Sequence, residues 1–227
     1  MNRALRELLA AGTPSPQAIA AFLEKSRFPM VEPRGVTFVY AGEADAINLR
    51  CFISGLPAAQ PLERIEGTNL WAHHLELPEN SRFEYKFERI AHGKSELIVD
   101  PLNPVTASDP FGENSVCQGH GYERPPWTLP HRSARRGTIE ERQVTSNLFG
   151  DTRRVRVYLP ARFRRTRRYP LLVVHDGEDY LRFAALQTVL DNLIERLEIA
   201  PLVVALTQSP DRLREYPGDE RHARHIV

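Results

Sequence analysis

Two short loops carry residue types that could stabilise a developing negative charge: His175-Asp176-Gly177-Glu178-Asp179 and Thr207-Gln208-Ser209-Pro210-Asp211. Each follows a continuous apolar run, Leu171-Leu172-Val173-Val174 and Leu202-Val203-Val204-Ala205-Leu206, of the kind strands buried on both faces show. Open parallel sheets bind ligands beyond the carboxyl ends of their strands, where backbone amides stay unpaired. Gly177 lets the chain turn tightly just before a helix whose amino end favours negative charge, so this loop could hold an oxyanion. His175, Asp176, Glu178 and Asp179 are metal-ligand types, but adjacent loop residues point in different directions and no metal is expected. His222 and His225, three apart near the end of the sequence, read as an exposed helix end rather than a ligand pair. No cofactor is expected.

Those loops need a scaffold. Between the two apolar runs, Leu186, Leu190, Leu193 and Leu197 form one stripe of an amphipathic helix, expected over about residues 180–198. Strand, helix and strand at this spacing make a βαβ unit with parallel strands. Ahead of it, Ile139–Ser146 and Thr152–Leu159 flank the Gly150 turn and predict a β-hairpin. Residues 137–227 therefore read as an α/β domain. The stretch Arg124-Pro125-Pro126-Trp127-Thr128-Leu129-Pro130 and the arginines after it have linker composition over 124–136, because proline removes backbone donors and fixes extended geometry. Before it, Val36–Tyr40, Ile47–Ile53, Leu70–Leu77 and Arg82–Phe87 alternate with period two between turn residues, which predicts a small β-sandwich over 35–123. Residues 1–34 contain two short amphipathic stretches on either side of Gly12-Thr13-Pro14, with Ser15 as N-cap and Pro16 at the first helical position.

Composition narrows the partners. A net charge of +1 sets up no global field for nucleic acid or an anionic membrane, and no run approaches 18 apolar residues. The cluster Arg162, Arg164, Arg165, Arg167 and Arg168 has no interleaved aromatic platform and reads as a solvated loop. Two cysteines, Cys51 and Cys117, are too few for a disulfide framework, though a single bridge between them stays open. Without a signal-peptide pattern in the first residues, a cytoplasmic protein is expected.

Several segments then carry a resemblance. Val155-Arg156-Val157-Tyr158-Leu159-Pro160, Tyr169-Pro170-Leu171-Leu172, His175-Asp176-Gly177-Glu178 and Arg212-Leu213-Arg214-Glu215-Tyr216 resemble the esterase branch of the α/β hydrolases, which includes enterochelin esterase, esterase D and mycolyltransferases. The preceding region is similar to the amino-terminal domain of enterochelin esterases, itself related to glycogen-binding modules. It is carried by Phe28-Pro29-Met30-Val31-Glu32, Val36-Thr37-Phe38, Thr68-Asn69-Leu70-Trp71, Phe83-Glu84-Tyr85-Lys86-Phe87, Asp100-Pro101-Leu102-Asn103-Pro104 and Asn114-Ser115-Val116.

The resemblance implies N-terminal short helices plus an immunoglobulin-like β-sandwich, followed by an incomplete α/β-hydrolase domain. It implies a small-molecule ester substrate, of which a catecholate siderophore, an aryl ester and an acyl sugar all remain open. By the same likeness Gly177 and Glu178 match the oxyanion loop, while Arg212 and Glu215 match an R-x-x-E pattern beside the substrate, where arginine could pair with anionic or phenolic oxygens. An ion pair between Arg212 and Glu215 is the plain alternative. The family nucleophile sits in G-x-S-x-G, and no such run occurs here: Ser115 has its glycine at the wrong offset and Ser209 has no flanking glycine. A helix starting at Asp219 and Glu220 precedes where it would fall. The chain is thus expected to be a truncated, inactive esterase, with a carbohydrate- or protein-binding β-sandwich module as the alternative. Trp71 is expected in a core rather than against sugar. An open edge and apolar face beside the strand ending at Leu206, with Ile226 and Val227, predict self-association through the second domain.

Overall fold

The computed structural model describes residues 2–10, 12–53, 55–221 and 224, so His222, His225, Ile226 and Val227 lie outside the described residues. The chain divides into two compact units, Met1–Glu123 and Arg124–Val227. Among the described residues no helix is long and apolar enough to cross a membrane.

In the first unit, helices α1 (Arg3–Leu9) and α2 (Pro16–Lys25) begin on side-chain caps, Asn2 accepting from the Ala4 amide and Ser15 from the Ala18 amide. Ten strands follow: β1 (Met30–Glu32), β2 (Gly35–Ala41), β3 (Ala46–Cys51), β4 (Ala59–Pro61), β5 (Glu63–Arg64), β6 (Leu70–Glu76), β7 (Arg82–Ala91), β8 (Lys94–Ile98), β9 (Thr106–Asp109) and β10 (Gly112–Gln118). They form one sheet in the order β1-β2-β6-β5 and another in the order β4-β3-β7-β10-β9, with β8 on β7. Period-two alternation decides what each face of β2 meets. Val36, Phe38 and Tyr40 join Leu49, Trp71, Tyr85 and Phe87 in a core shared by the two sheets. Val39 faces the other way, with Met30 and Leu70, into a second cluster that Leu5, Phe22 and Phe28 complete. The expected 1–34 segment is therefore not a separate piece, because its helices cover a sheet face that would otherwise be wet.

The edge strands β8 and β9 were not legible as strands, since Lys94-Ser95-Glu96-Leu97 and Thr106-Ala107-Ser108-Asp109 are mostly exposed and show no apolar alternation. Turn chemistry marks β8 instead: His92 and Gly93 both take positive φ between β7 and β8, as a two-residue hairpin turn requires. Asp100-Pro101-Leu102-Asn103 packs its polar groups inward. Tyr85 donates to Asp100 Oδ2 at 2.7 Å, Asn103 Nδ2 donates to Tyr85 Oη at 3.1 Å and to the Val116 carbonyl at 2.9 Å, and the Asp100 amide donates to Ser115 Oγ at 2.7 Å. Ser115 is thus a buried structural hydroxyl. Cys51 and Cys117 are free thiols on β3 and β10, which flank β7. Two ladder spacings, about 9–10 Å, exceed the roughly 7 Å that a disulfide spans between Cα atoms, which closes the question of a bridge.

The second unit holds the predicted hairpin, β11 (Thr138–Ser146) and β12 (Asp151–Leu159), then β13 (Leu171–Val174) and β14 (Val203–Thr207), in the order β11-β12-β14-β13. β13 and β14 are parallel in register Leu171 to Val203, as expected, and β12 pairs β14 antiparallel. This order corrects the expected open edge. β14 has a strand on each side, and among the described residues the sheet ends on β11 and on β13, where Leu171 is 65% exposed and Leu172 40%. β13 is accordingly not buried on both faces.

Two further expectations change. The single helix over 180–198 is two, α3 (Gly177–Phe183) and α4 (Leu186–Glu195), separated where Ala185 takes φ 50°. Leu197 leaves the stripe at 88% exposure, and Leu186, Leu190 and Ile194 make the contact with Tyr158, Val204 and Leu206. Nor is 124–136 a free linker. Asn192 Nδ2 donates to the Trp127 and Leu129 carbonyls at 2.8 Å, Arg135 forks onto Glu195, and the Gly137 amide donates to Asp191 Oδ1. Prolines keep this stretch out of a ladder, and α4 takes up the carbonyls they leave.

Candidate functional site

Because β13 and β14 are parallel neighbours, the loops after Val174 and Thr207 leave the sheet at the same end. The turn after β13 is made by Asp176, which takes φ 52° ahead of α3. Gly177 has a different task from the one expected. A Cβ there would lie 2.4 Å from Leu206 Cβ and 2.8 Å from Leu206 Cα, so only glycine lets α3 seat on β14. The Glu178 amide, one residue on, donates to Gln208 Oε1 at 3.3 Å. The Glu178 carboxylate is held elsewhere, 2.7 Å from Arg156 Nε and 3.5 Å from Arg154 Nη2.

The second loop leads into a one-turn helix, α5 (Arg212–Glu215), whose N-cap Asp211 accepts from the Arg214 amide. Arg212 turns toward the first loop, with Nη1 3.7 Å from Asp176 Oδ2 and 4.0 Å from Asp179 Oδ2. Tyr216 donates to Asp176 Oδ1 at 2.9 Å and sets its ring edge-on to His175, 5.5 Å between centroids. Burial, followed by the Asp176 carboxylate, raises the Tyr216 phenol above its ordinary pKa. The site thus assembles Gly177, Glu178 and Arg212 from two loops, with Asp176, Gln208 and Tyr216 joining them.

Glu215 is not part of that surface. It is 6% exposed, and its two oxygens receive Arg153 Nη1 and Nη2 at 2.8 Å each, with Ser209 Oγ donating to Oε2 at 2.7 Å. The alternative of an Arg212–Glu215 pair gives way to Arg153–Glu215 and Arg212–Asp176. Arg153 had no signal in the sequence, since it is one of many arginines and lies 62 residues from its partner. Gln208 and Tyr216 were visible only as members of the Thr207–Asp211 loop and the Arg212–Tyr216 segment.

Elsewhere the expected sites separate. Trp71 is 6% exposed within the core of the first unit and donates Nε1 to the Gly42 carbonyl, so its face is not available to sugar. Ser209 caps its own loop, accepting from the Asp211 amide. Asp219 Oδ1 accepts from the Arg221 amide, as an N-cap does. No group of three or more metal-ligating side chains occurs among the described residues.

Residues 146–223 match the Esterase family model, described as "Putative esterase". The fold is similar to that of ferric enterobactin esterase from Salmonella typhimurium, with TM-score 0.70 and 19% identity over 91% of this chain and 63% of that one. Enterochelin esterase from Shigella flexneri matches with TM-score 0.63 and 20% identity, covering 91% and 62%. The Shigella flexneri enterobactin esterase crystallised in the presence of enterobactin matches with TM-score 0.62 and 21% identity, covering 85% and 57%. The chain spans about three fifths of the length of these solved structures. No curated protein matches it. In fold the chain is similar to these esterases, and the match to the esterase family model falls within its second unit.

Proposed function

We propose that this chain provides the binding framework of a carboxylic-ester hydrolase acting on a small anionic ester of the catecholate siderophore type. The first unit corresponds to the immunoglobulin-like β-sandwich of enterochelin esterases and the second to the first strands of their α/β-hydrolase sheet. The observation that carries the reading is that the Glu178 amide, on Gln208 Oε1, and the Arg212 guanidinium, beside Asp176, lie in the two loops at the carboxyl ends of β13 and β14, inside the region that matches the esterase family. An ester carbonyl gains negative charge as it is attacked, and backbone amides fixed by the fold stabilise that charge without reorganising. Gln208 Oε1 stands on the Glu178 amide as a neutral carbonyl would, so an incoming oxyanion exchanges places with it. Arg212 stands beside Asp176 and Asp179 and offers a planar fork to catecholate oxygens.

The 227 residues contain no G-x-S-x-G run, so this chain by itself is expected to bind and not to hydrolyse. The test has two arms. Nitrophenyl esters should show no turnover above background, and a rate removed by a serine-directed phosphonate whose label maps to this chain would overturn inactivity. In the second arm 2,3-dihydroxy-N-benzoyl-serine is titrated against intrinsic fluorescence. Saturable binding that Arg212→Ala weakens at least tenfold supports the substrate class, and no binding by the unaltered chain refutes it. The exposed edge of β13 further supports self-association of the chain, which sedimentation would contradict by finding a monomer of 25.9 kDa.

A further inference from the structure

The site's cation is carried by α5, a helix of only four residues, far too short to hold its shape by its own hydrogen bonds. What fixes it comes from the hairpin on the far side of β14. Arg153, on β12 and 8% exposed, presents Nη1 and Nη2 to the two Glu215 oxygens, while Nε and Nη2 reach Asp151 at 3.0 and 3.1 Å. Phe149, in the turn between β11 and β12, lies over the guanidinium at 3.7 Å and shuts out water. Ser209 adds its hydroxyl to the same Glu215 oxygen and takes the Asp211 amide, so the start and the end of the turn close on one carboxylate. Arg212 sits three residues before that carboxylate and Tyr216 one residue after it, and both reach Asp176.

We propose that Arg153 is a positioning residue that holds the Arg212–Tyr216 turn against the loop after β13 and so sets where the Arg212 guanidinium stands. The planar fork is what the geometry uses, because a lysine keeps the charge but meets only one oxygen at a time. The proposal rests on the ester-binding reading for its consequence, and not for the contact itself.

The experiment compares the full chain with Arg153→Lys and Glu215→Gln, each first shown to be folded by circular dichroism. Limited trypsin digestion reads the turn without any ligand. Cleavage after Arg212 and Arg214 should accelerate at least tenfold in both variants, while cleavage in the 162–168 turn keeps its rate. Equal acceleration at both places would mean general loosening, and no acceleration would mean that α5 stands without Arg153; either overturns the proposal. A double-mutant cycle with 2,3-dihydroxy-N-benzoyl-serine reads the consequence. Arg153→Lys should weaken binding about tenfold in the presence of Arg212 and have no further effect in Arg212→Ala. Additive losses would show that Arg153 does not act through Arg212. If the unaltered chain fails to bind the probe, the ester-binding reading falls, and the trypsin rates still decide whether Arg153 holds the turn.

Discussion

In the first unit the sheet β1-β2-β6-β5 meets a second sheet on one face and two helices on the other, whereas in the second unit the sheet β11-β12-β14-β13 ends on a strand whose Leu171 stands 65% exposed. The first gathers Tyr85, Asp100, Asn103 and Ser115 into one buried network, while Thr37, Gln60 and Thr68 are held apart from it by His74, His73 and the Ile65 carbonyl. The second spends its buried polar groups joining distant pieces, Arg153 to Glu215 and Asp191 to both Tyr158 and Gly137. Formal charge divides the same way, −5 over residues 1–123 and +6 over 124–227. One unit is built as a closed core; the other holds two loops and their arginines in place.

The largest effect that would break this contrast concerns the N-terminal helices. Removing residues 1–34 strips Leu5, Phe22, Phe28 and Met30 from the face of Val39 and Leu70. Burying such side chains contributes about 1.5–3 kcal/mol each, against a total stability of about 5–15 kcal/mol. Residues 1–123 alone should therefore unfold cooperatively in urea, while residues 35–123 should be largely unfolded or associated. A cooperative, monomeric 35–123 fragment would show that the helices merely decorate the sheet.

A smaller effect separates core from edge. Phe38 is fully buried, with Tyr85 edge-on at 4.9 Å, so Phe38→Ala should cost about 3–5 kcal/mol. Leu172→Ala, on a residue 40% exposed, should cost about 0.5 kcal/mol or less. Chemical denaturation of both variants decides it, and comparable losses would mean that β13 is covered in solution, as self-association would arrange.

How much of this was legible follows from the range of each signal. The hairpin of β11 and β12 and the parallel pair β13 and β14 announced themselves through local apolar pattern and a glycine turn. The split between α3 and α4 did not, because it rests on Ala185 at φ 50°, and alanine carries no expectation of a left-handed turn. Leu197 continued the stripe in sequence and left it in space because α4 ends at Glu195 and Leu197 itself takes φ 59°. Of the candidates that family likeness named, Gly177, Glu178 and Arg212 lie in the loops at one end of the sheet. Glu215, named with Arg212 as a residue beside the substrate or else as its ion-pair partner, is buried on Arg153 instead, since an R-x-x-E spacing says nothing of an arginine across the sheet.

The smallest expected effect is a pH dependence of opposite sign in the two units. Burial raises the Asp100 pKa in the first unit, against the Tyr85 hydroxyl and the Leu102 and Asn103 amides that favour its charged form. A carboxyl whose folded pKa lies above its unfolded value of 3.8 binds its proton more tightly when folded. Its contribution is complete below pH 3.8 and is lost as pH rises through the folded value. In the second unit, hydrogen bonding to Arg221 lowers Asp219 to about 2, so its contribution is present above 3.8 and lost as pH falls toward 2. Urea midpoints of the chain, of Asp100→Asn and of Asp219→Asn, taken between pH 2 and 7, would separate the two. The advantage of the unaltered chain over Asp100→Asn should shrink with rising pH, and its advantage over Asp219→Asn should grow. An Asp100 difference that also grows with pH would mean that the hydrogen bonds around Tyr85 outweigh burial, and that the first unit holds a charged acid in its core rather than a neutral one.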